Sequence, residues 1–396
     1  MSNLDQVVSR QAERRASIPP VAYLLTACVA VVGCNSLVLG PIAPDLATDF
    51  GTSVPAIMMA ASAFGLGTAG SALLLARHID RVGARKMLQR AMLLLAAALV
   101  LSAVAPAAGV LVAAQLLAGI AAGIALPATY GSAAMVAPPG RESAVIGVVL
   151  VGWTLSMVAG VSLSAVVADF LHWRVVFAAV AALALAALVG ISGASFRDEP
   201  KPGPSPSPLA ALSTPGIVPL LIACFAFMTG FYGVYGYLGD HLHRELGRPL
   251  SANGMIALSY GIGFGSAAFL DPLVDRIGAR RVMPVAYLAV AAIFGLMATA
   301  SASFVAIVLL VALWGLANHF GLNVLVMRLT VLDPARRGTI MGLNSAVTYF
   351  AVFVGTTGFG PVYAGYGFAA ACVAAVALTL TAALAGAIPP AKGSES

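Results

Sequence analysis

Charge is what this sequence has least of: 9% of its 396 residues are Asp, Glu, Lys or Arg, while 60% are hydrophobic. A water-soluble domain carries about 25% charged residues, so a soluble fold is set aside at the outset. Cysteine is scarce as well. Cys28, Cys34, Cys224 and Cys372 fall inside apolar runs and not in pairs with metal or disulfide spacing, which argues against a metal site and against a disulfide framework. The apolar runs lack the alternating pattern of a membrane strand, so a closed β-barrel is excluded. No His-Glu-x-x-His or Gly-x-Ser-x-Gly motif and no appended soluble domain is present, which places an intramembrane enzyme or sensor last among the readings.

What the chain has is length without charge. A helix needs roughly 20 apolar residues to cross the hydrocarbon core. Residues 16–44, 50–76, 143–168 and 175–196 each hold one such span, and 91–140 holds two. After a break, 202–239 and 249–270 hold one each, and 282–327 and 338–391 hold two each. The expectation is therefore an all-α membrane protein of twelve transmembrane helices. With the N-terminus inside, 18 of the 21 basic residues fall in cytoplasmic segments, leaving Arg174, Arg244 and Arg248 outside. The positive-inside rule then predicts a multi-pass protein of a bacterial-type inner membrane with both termini cytoplasmic. The net charge of +6 is absorbed by membrane insertion and calls for no nucleic-acid partner. The first apolar run is too long for a signal peptide and reads as a retained helix. The lipid bilayer and a small-molecule substrate are the expected partners, no cofactor is implied, and a monomer is expected.

The stretch from Ser195 to Pro208 carries repeated prolines, which favour an extended, solvated linker. It divides the chain into residues 1–194, a linker at 195–214, and residues 215–396. At an offset of 195 residues, Asp80-Arg81-Val82-Gly83-Ala84-Arg85-Lys86 falls on Asp275-Arg276-Ile277-Gly278-Ala279-Arg280-Arg281. Pro139, Arg141 and Gly147 fall on Pro334, Arg336 and Gly342 without a gap, and Asp45 on Asp240. Self-similarity of this kind predicts two copies of a six-helix unit.

A basic Asp-Arg-x-Gly-x-Arg-Lys/Arg loop between the second and third spans, echoed between the eighth and ninth, resembles the signature loop of the major facilitator superfamily. The resemblance covers essentially the whole chain and implies two pseudo-symmetric six-helix bundles. It also implies that Asp80, Arg81, Gly83, Arg85, Asp275, Arg276, Gly278 and Arg280 form gating loops that latch the cytoplasmic side. Gly83 and Gly278 would permit the tight turn, and the carboxylates would meet the positive end of a neighbouring helix. At the first position, usually glycine in that family, this chain has Ala76 and Asp271. In the fifth span, Gly152-Trp153-Thr154-Leu155 and Gly160-Val161-Ser162-Leu163 resemble the antiporter motif of drug/proton antiporters, without its usual proline. Gly152, Ser156, Gly160 and Ser164 recur every four residues. They permit a close helix crossing, either generic packing or a contact between the halves.

In the fourth span, Gln115 stands where proton-coupled relatives place an arginine. Its neutral amide leaves the usual coupling scheme in question. The interior candidate for a proton site is His319, with Asn323 and Asn344 nearby; the other reading is a neutral histidine bonded to a neighbouring helix. Asn35, Gln115, Trp153, Tyr232 and Tyr235 join His319, Asn323 and Asn344 as candidate cavity residues. Asp240, His241, His243 and Glu245 read as a solvated loop, with a gate or pH sensor as the alternative. The resemblance implies alternating access and, for drug/proton or sugar-efflux exporters, proton-driven export of a small organic molecule. An uptake symporter or a facilitator in the same fold stays open.

Overall fold

The computed structural model describes residues 18–75, 78–138, 141–194, 207–333 and 336–388, with the side chains of Asp80, Glu142, Ser143 and Asp275 outside that description. Ala76, Pro139, Pro334 and residues 195–206 of the expected linker also lie outside it. Six helices form the first half: α1 Pro20–Asp49, α2 Val54–Leu74, α3 Ala84–Ala103, α4 Ala108–Val136, α5, and α6 Trp173–Gly193. Helix α5 runs from Glu142–Leu155 through a π-helical turn, Ser156–Val161, into Ser162–Phe170. The second half holds α7 Ile217–Asp240, α8 Ala252–Ser266, α9 Ala279–Thr299 and α10 Phe304–Thr330. The last helical run, Arg337–Ala387, is 51 residues long and breaks at Gly367, where φ is 77° and ψ −176°. That conformation is open to glycine and closed to other residues. Its two arms are α11 and α12, which completes twelve spans. The end of the bundle at which α1 begins is called here the near end, and the end at which α1 meets α2 the far end.

Glycines set how closely the helices of each half approach. A Cβ at Gly67 would lie 2.5 Å from the Leu116 carbonyl, and one at Gly119 would strike the Phe64 carbonyl, so α2 and α4 touch backbone to backbone. In the second half, Gly263 meets the Ala312 carbonyl and Gly315 the Tyr260 carbonyl, joining α8 to α10 in the same way. All four residues of the first contact map onto the second at an offset of 196, one residue from the offset of the loops. The duplication is therefore a repeat of packing as well as of loop sequence.

Two features differ from the sequence reading. The end of the linker is not extended and solvated: Pro208–Ser213 is a 3-10 turn, capped by the Ser207 side chain accepting from Leu209 N. Pro208 and Ala211 are buried beside α11, because proline at the first position is already shaped for a helical turn. The small-residue stripe of α5 does not face the other half. Gly152 packs on the Thr26 carbonyl, Ser156 on Gly33 and Gly160 on Cys34, all of α1. The stripe lets α5 approach α1 within the first half, and the residues between its members, Val158 and Ser162, meet α8.

Gly119 sits against backbone that cannot move without separating α2 from α4, whereas Gly131 on the same helix has open space around it. Gly119→Val is expected to cost about 1–3 kcal/mol through overpacking. Thermal unfolding in detergent checks this: Gly119→Val lowers the melting temperature by several degrees and Gly131→Val leaves it close to wild type.

Candidate functional site: the seam between the halves and its buried polar pairs

Helices α1, α2 and α5 of the first half meet α7, α11 and α8 of the second. On α1 and α7, a Cβ at Gly40 would stand 3.1 Å from the Tyr235 carbonyl, and one at Gly239 2.7 Å from the Gly40 carbonyl. Asn253 Nδ2 at the start of α8 donates to the Pro41 carbonyl at 2.7 Å. Between α2 and α11, the Ser62 and Thr356 hydroxyls are 2.6 Å apart, and Thr357 donates to Ser62 at 2.8 Å. Gly65 of α2 abuts the Tyr349 carbonyl. At the far end of α5, Asp169 Oδ2 accepts from Ser251 N at 3.1 Å, placing a carboxylate of one half at the N-terminus of α8 in the other. Negative charge is favoured there by the helix dipole. These contacts run from the far end to about mid-span, so the seam is closed on that side.

Two small clefts open on this seam and meet at Tyr235. One is lined by Ser36, Gly40, Met58, Tyr232, Tyr235 and Thr356 among others. The second is lined by Pro41, Tyr235, Leu238, Gly239, Asn253, Ile256 and Ala257. The sequence candidates Tyr232 and Tyr235 thus come together, and Phe231 stacks on Tyr235 with ring centroids 5.6 Å apart.

Asn35 and Gln115 go elsewhere. Asn35 Nδ2 donates to Gln115 Oε1 at 3.0 Å, and Gln115 Nε2 donates back to Asn35 Oδ1 at 3.2 Å and to Ser102 Oγ at 3.1 Å. Both are fully buried, and neither lines the clefts. A pair of amides that satisfy each other and a hydroxyl ties α1, α3 and α4 together; this is a structural role where a cavity role was expected. Trp153 also turns inward to its own half, its Nε1 donating to Tyr130 Oη at 2.9 Å. Asn344 is buried with its Oδ1 unpartnered, outside both clefts.

His319, midway along α10, bonds Asp271, the first residue of the short helix Asp271–Ile277 that follows α8: Nε2 and Oδ1 are 2.9 Å apart. Asn323 Nδ2 donates to the same oxygen at 2.8 Å. The Phe264 ring stands edge-on to His319 at 5.0 Å. His319 is 14% exposed and Asp271 37%, so the pair is reachable from one side. Asp271 is the residue that sequence reasoning noted only as a departure from the loop pattern. Its signal was an acid at a position that a small residue would otherwise fill.

In the loops themselves, Gly83 has φ 98° and ψ 139°, and Gly278 φ 90° and ψ 134°, matching turns that a side chain would strain. Arg85 donates to the Ser192 carbonyl at 2.9 Å, tying the loop to α6, while Arg81, Arg276 and Arg280 are exposed. The Asp80 and Asp275 carboxylates lie outside the described residues. At the far end, Asp240 and His241 are 3% exposed and not part of a solvated loop. Asp240 accepts from Tyr363 Oη at 2.9 Å and pairs with Arg244 at 2.9 Å, while His241 bonds the Ser301 carbonyl and stacks on Phe368. Helix α7 simply continues into a π-helical turn, His241–Glu245, and carries these groups inward.

Twelve spans in two packed, duplicated bundles with polar residues at the seam form the architecture of a membrane transporter. The chain belongs to the Major Facilitator Superfamily, whose profile matches residues 25–356. It is 27% identical over 372 residues to YwfA, an MFS-type transporter of Bacillus subtilis, covering 91% of this chain and 89% of that one. A chloramphenicol resistance protein of Streptomyces lividans is 31% identical over 206 residues, or 51% of this chain and 53% of that protein. A crystal structure of a D-xylose-proton symporter shares the fold with a TM-score of 0.77 at 17% identity, covering 92% of this chain and 96% of that one. The chain is a multi-pass membrane protein that moves a small molecule across a bilayer, and is not an enzyme.

The Asp169–Ser251 bond is the one place where a charged side chain spans the far end of the seam among the described residues. Asp169→Ala is expected to weaken far-end closure by about 1 kcal/mol. Spin labels at the exposed Leu171→Cys and Arg248→Cys report it, since the four native cysteines are buried. A longer-distance population should grow roughly fivefold; an unchanged distribution would remove the latch role.

Proposed function

We propose that this transporter exports a small organic molecule across a bacterial-type inner membrane in exchange for protons, with both termini in the cytoplasm. The near end, where 11 of the 14 described basic residues lie, is then the cytoplasmic face. The halves rock about the seam, exposing the clefts to one side and then the other. The gating loops at Asp80–Arg85 and Asp275–Arg280 brace the near end when the far end opens.

One observation carries the coupling: His319 Nε2 lies 2.9 Å from Asp271 Oδ1, and among the described residues His319 is the one His, Asp, Glu, Lys or Arg midway along a span. With a proton on both ring nitrogens, His319 holds Asp271 by charge as well as by a hydrogen bond; neutral, by the hydrogen bond alone. The loss or gain of that attraction at the start of the helix Asp271–Ile277 biases the position of the loop that follows. Gln115 supports placing the coupling here, because the neutral amide pair leaves nothing to titrate in α4. The resistance protein of Streptomyces lividans supports export as the direction.

A facilitator is the second reading, and the same neutral Gln115 favours it. Growth of an efflux-deficient bacterial host on a panel of toxic amphiphiles separates the two. The wild-type chain should raise tolerance, and His319→Gln and Asp271→Asn should abolish the gain at equal membrane abundance. Protection retained by both variants would leave facilitated movement, and no protection from well-expressed wild type would discard export.

A further inference from the structure

Several buried side-chain polar atoms among the described residues have no hydrogen-bond partner, and those that line a cleft are open to a guest. Three of them, on Tyr235, Asn253 and Ser36, lie at the clefts on the seam. Tyr235 is 5% exposed, and its hydroxyl has no hydrogen-bond partner; it lines both clefts. Asn253 is 2% exposed, and its Nδ2 is committed to the Pro41 carbonyl, which leaves Oδ1 unpartnered in the second cleft. Ser36 adds a further hydroxyl to the first cleft. A tyrosine hydroxyl can donate, and an amide oxygen accepts. The pair is therefore complementary to a molecule that carries an acceptor and a donor a few ångströms apart.

Charge is absent from the same place. The helices that build the seam hold no Asp, Glu, Lys or Arg across residues 20–44, 54–74, 217–239, 252–270 and 338–366. Asp45, Asp169 and Asp240 lie at the far end, Asp169 bonded to Ser251 and Asp240 to Tyr363 and Arg244, and Asp271 is held by His319 of α10. A charged guest in such surroundings would be desolvated with no counter-ion to compensate it. The walls are instead aromatic and apolar: Tyr232, Tyr235 with Phe231 stacked behind it, and the thioether of Met58. Flat rings pack well against such surfaces.

We propose that the seam binds an uncharged aromatic molecule bearing hydroxyl or amide groups, with the Tyr235 hydroxyl donating to its acceptor and Asn253 Oδ1 receiving its donor. The clefts are small in the far-end-closed arrangement and widen as the halves part. This assignment rests on the chain being a transporter of a small organic molecule, and not on the direction or the coupling proposed above.

Tyr235→Phe tests it cleanly, because a hydroxyl without a partner can be removed without breaking a bond of the fold. Purified wild-type protein in detergent is heated with chloramphenicol and two other neutral aromatic alcohols or amides, with ethidium as a permanent cation and with salicylate as an anion. A ligand that binds only the folded state raises the melting temperature. The expected result is stabilisation by the neutral compounds alone. Tyr235→Phe should have the wild-type melting temperature without ligand and need about fivefold more neutral compound for the same shift. Stabilisation by ethidium or salicylate in preference to the neutral set overturns the substrate class. An identical dose dependence in Tyr235→Phe overturns the role of the hydroxyl, and no shift with any neutral compound overturns the proposal as a whole. Because binding in detergent needs no gradient and has no direction, these outcomes are independent of the resistance assay that judges export.

Discussion

Inside a bilayer a polar group has no water to turn to, and each one left alone costs several kcal/mol. The two halves of this chain meet that constraint differently at equivalent places. In the first half, Asn35, Gln115 and Ser102 satisfy one another and bind three helices into one body. Moving by 196 residues, the offset that superposes the glycine contacts, puts Phe231 and Val311 where Asn35 and Gln115 stand. There the second half uses aromatic packing: Phe231 lies 5.1 Å from Trp314 and 5.6 Å from Tyr260. Duplication preserved the glycines that set helix spacing, and the side chains that fill the space diverged. The aromatic version leaves polar tips over, among them Trp314 Nε1 and Tyr235 Oη, while the amide version leaves none at Asn35 or Gln115.

The bonds between the halves are of another kind from those within them. The pairs Arg174–Asp49, Arg244–Asp240, His319–Asp271 and Arg336–Asp333 each lie inside a single half. Across the seam, described residues make four hydrogen bonds, which at about 0.5–1.5 kcal/mol net apiece amount to roughly 2–6 kcal/mol. Alternating access needs two arrangements within a few kcal/mol of each other, so that a bound molecule or a proton can tip the balance. Glycine–carbonyl contacts and a handful of hydroxyl bonds fit that need, because water can replace them when the seam opens. Buried ion pairs across it would not part so readily.

The number of spans, the division into halves and the repeat of the loops were legible in the sequence because each depends on length and charge alone. Which way a side chain faces was not. A helix that is apolar all round carries no amphipathic stripe from which to read its rotation. So the four-residue stripe of α5 was visible while its neighbour, α1, was not, and Gln115 could be placed on α4 but not against Asn35, 80 residues away. Asp240 and His241 misled for a different reason: a cluster of charged residues is ordinarily exposed, and only the continuation of α7 into its π-helical turn buries them. His319 was recognisable as unusual, yet its partner lies 48 residues earlier at the end of another helix, and no local pattern joins them.

That partnership explains why a departure from the family's loop pattern is tolerated. A carboxylate in place of a small residue at position 271 would be a liability at the end of a span if it stood alone. It stands instead at the first turn of Asp271–Ile277, where the helix dipole favours it, and it takes two hydrogen bonds from α10. The same short helix ends at Gly278, whose turn leads directly into α9. Asp271 therefore opens a segment seven residues long whose other end is the loop at Gly278. Under the proposed coupling, the proton site has not been lost with the arginine of α4. That coupling would run instead in the second half, where Asp271 and the loop share one seven-residue helix, about two turns of hydrogen-bonded backbone.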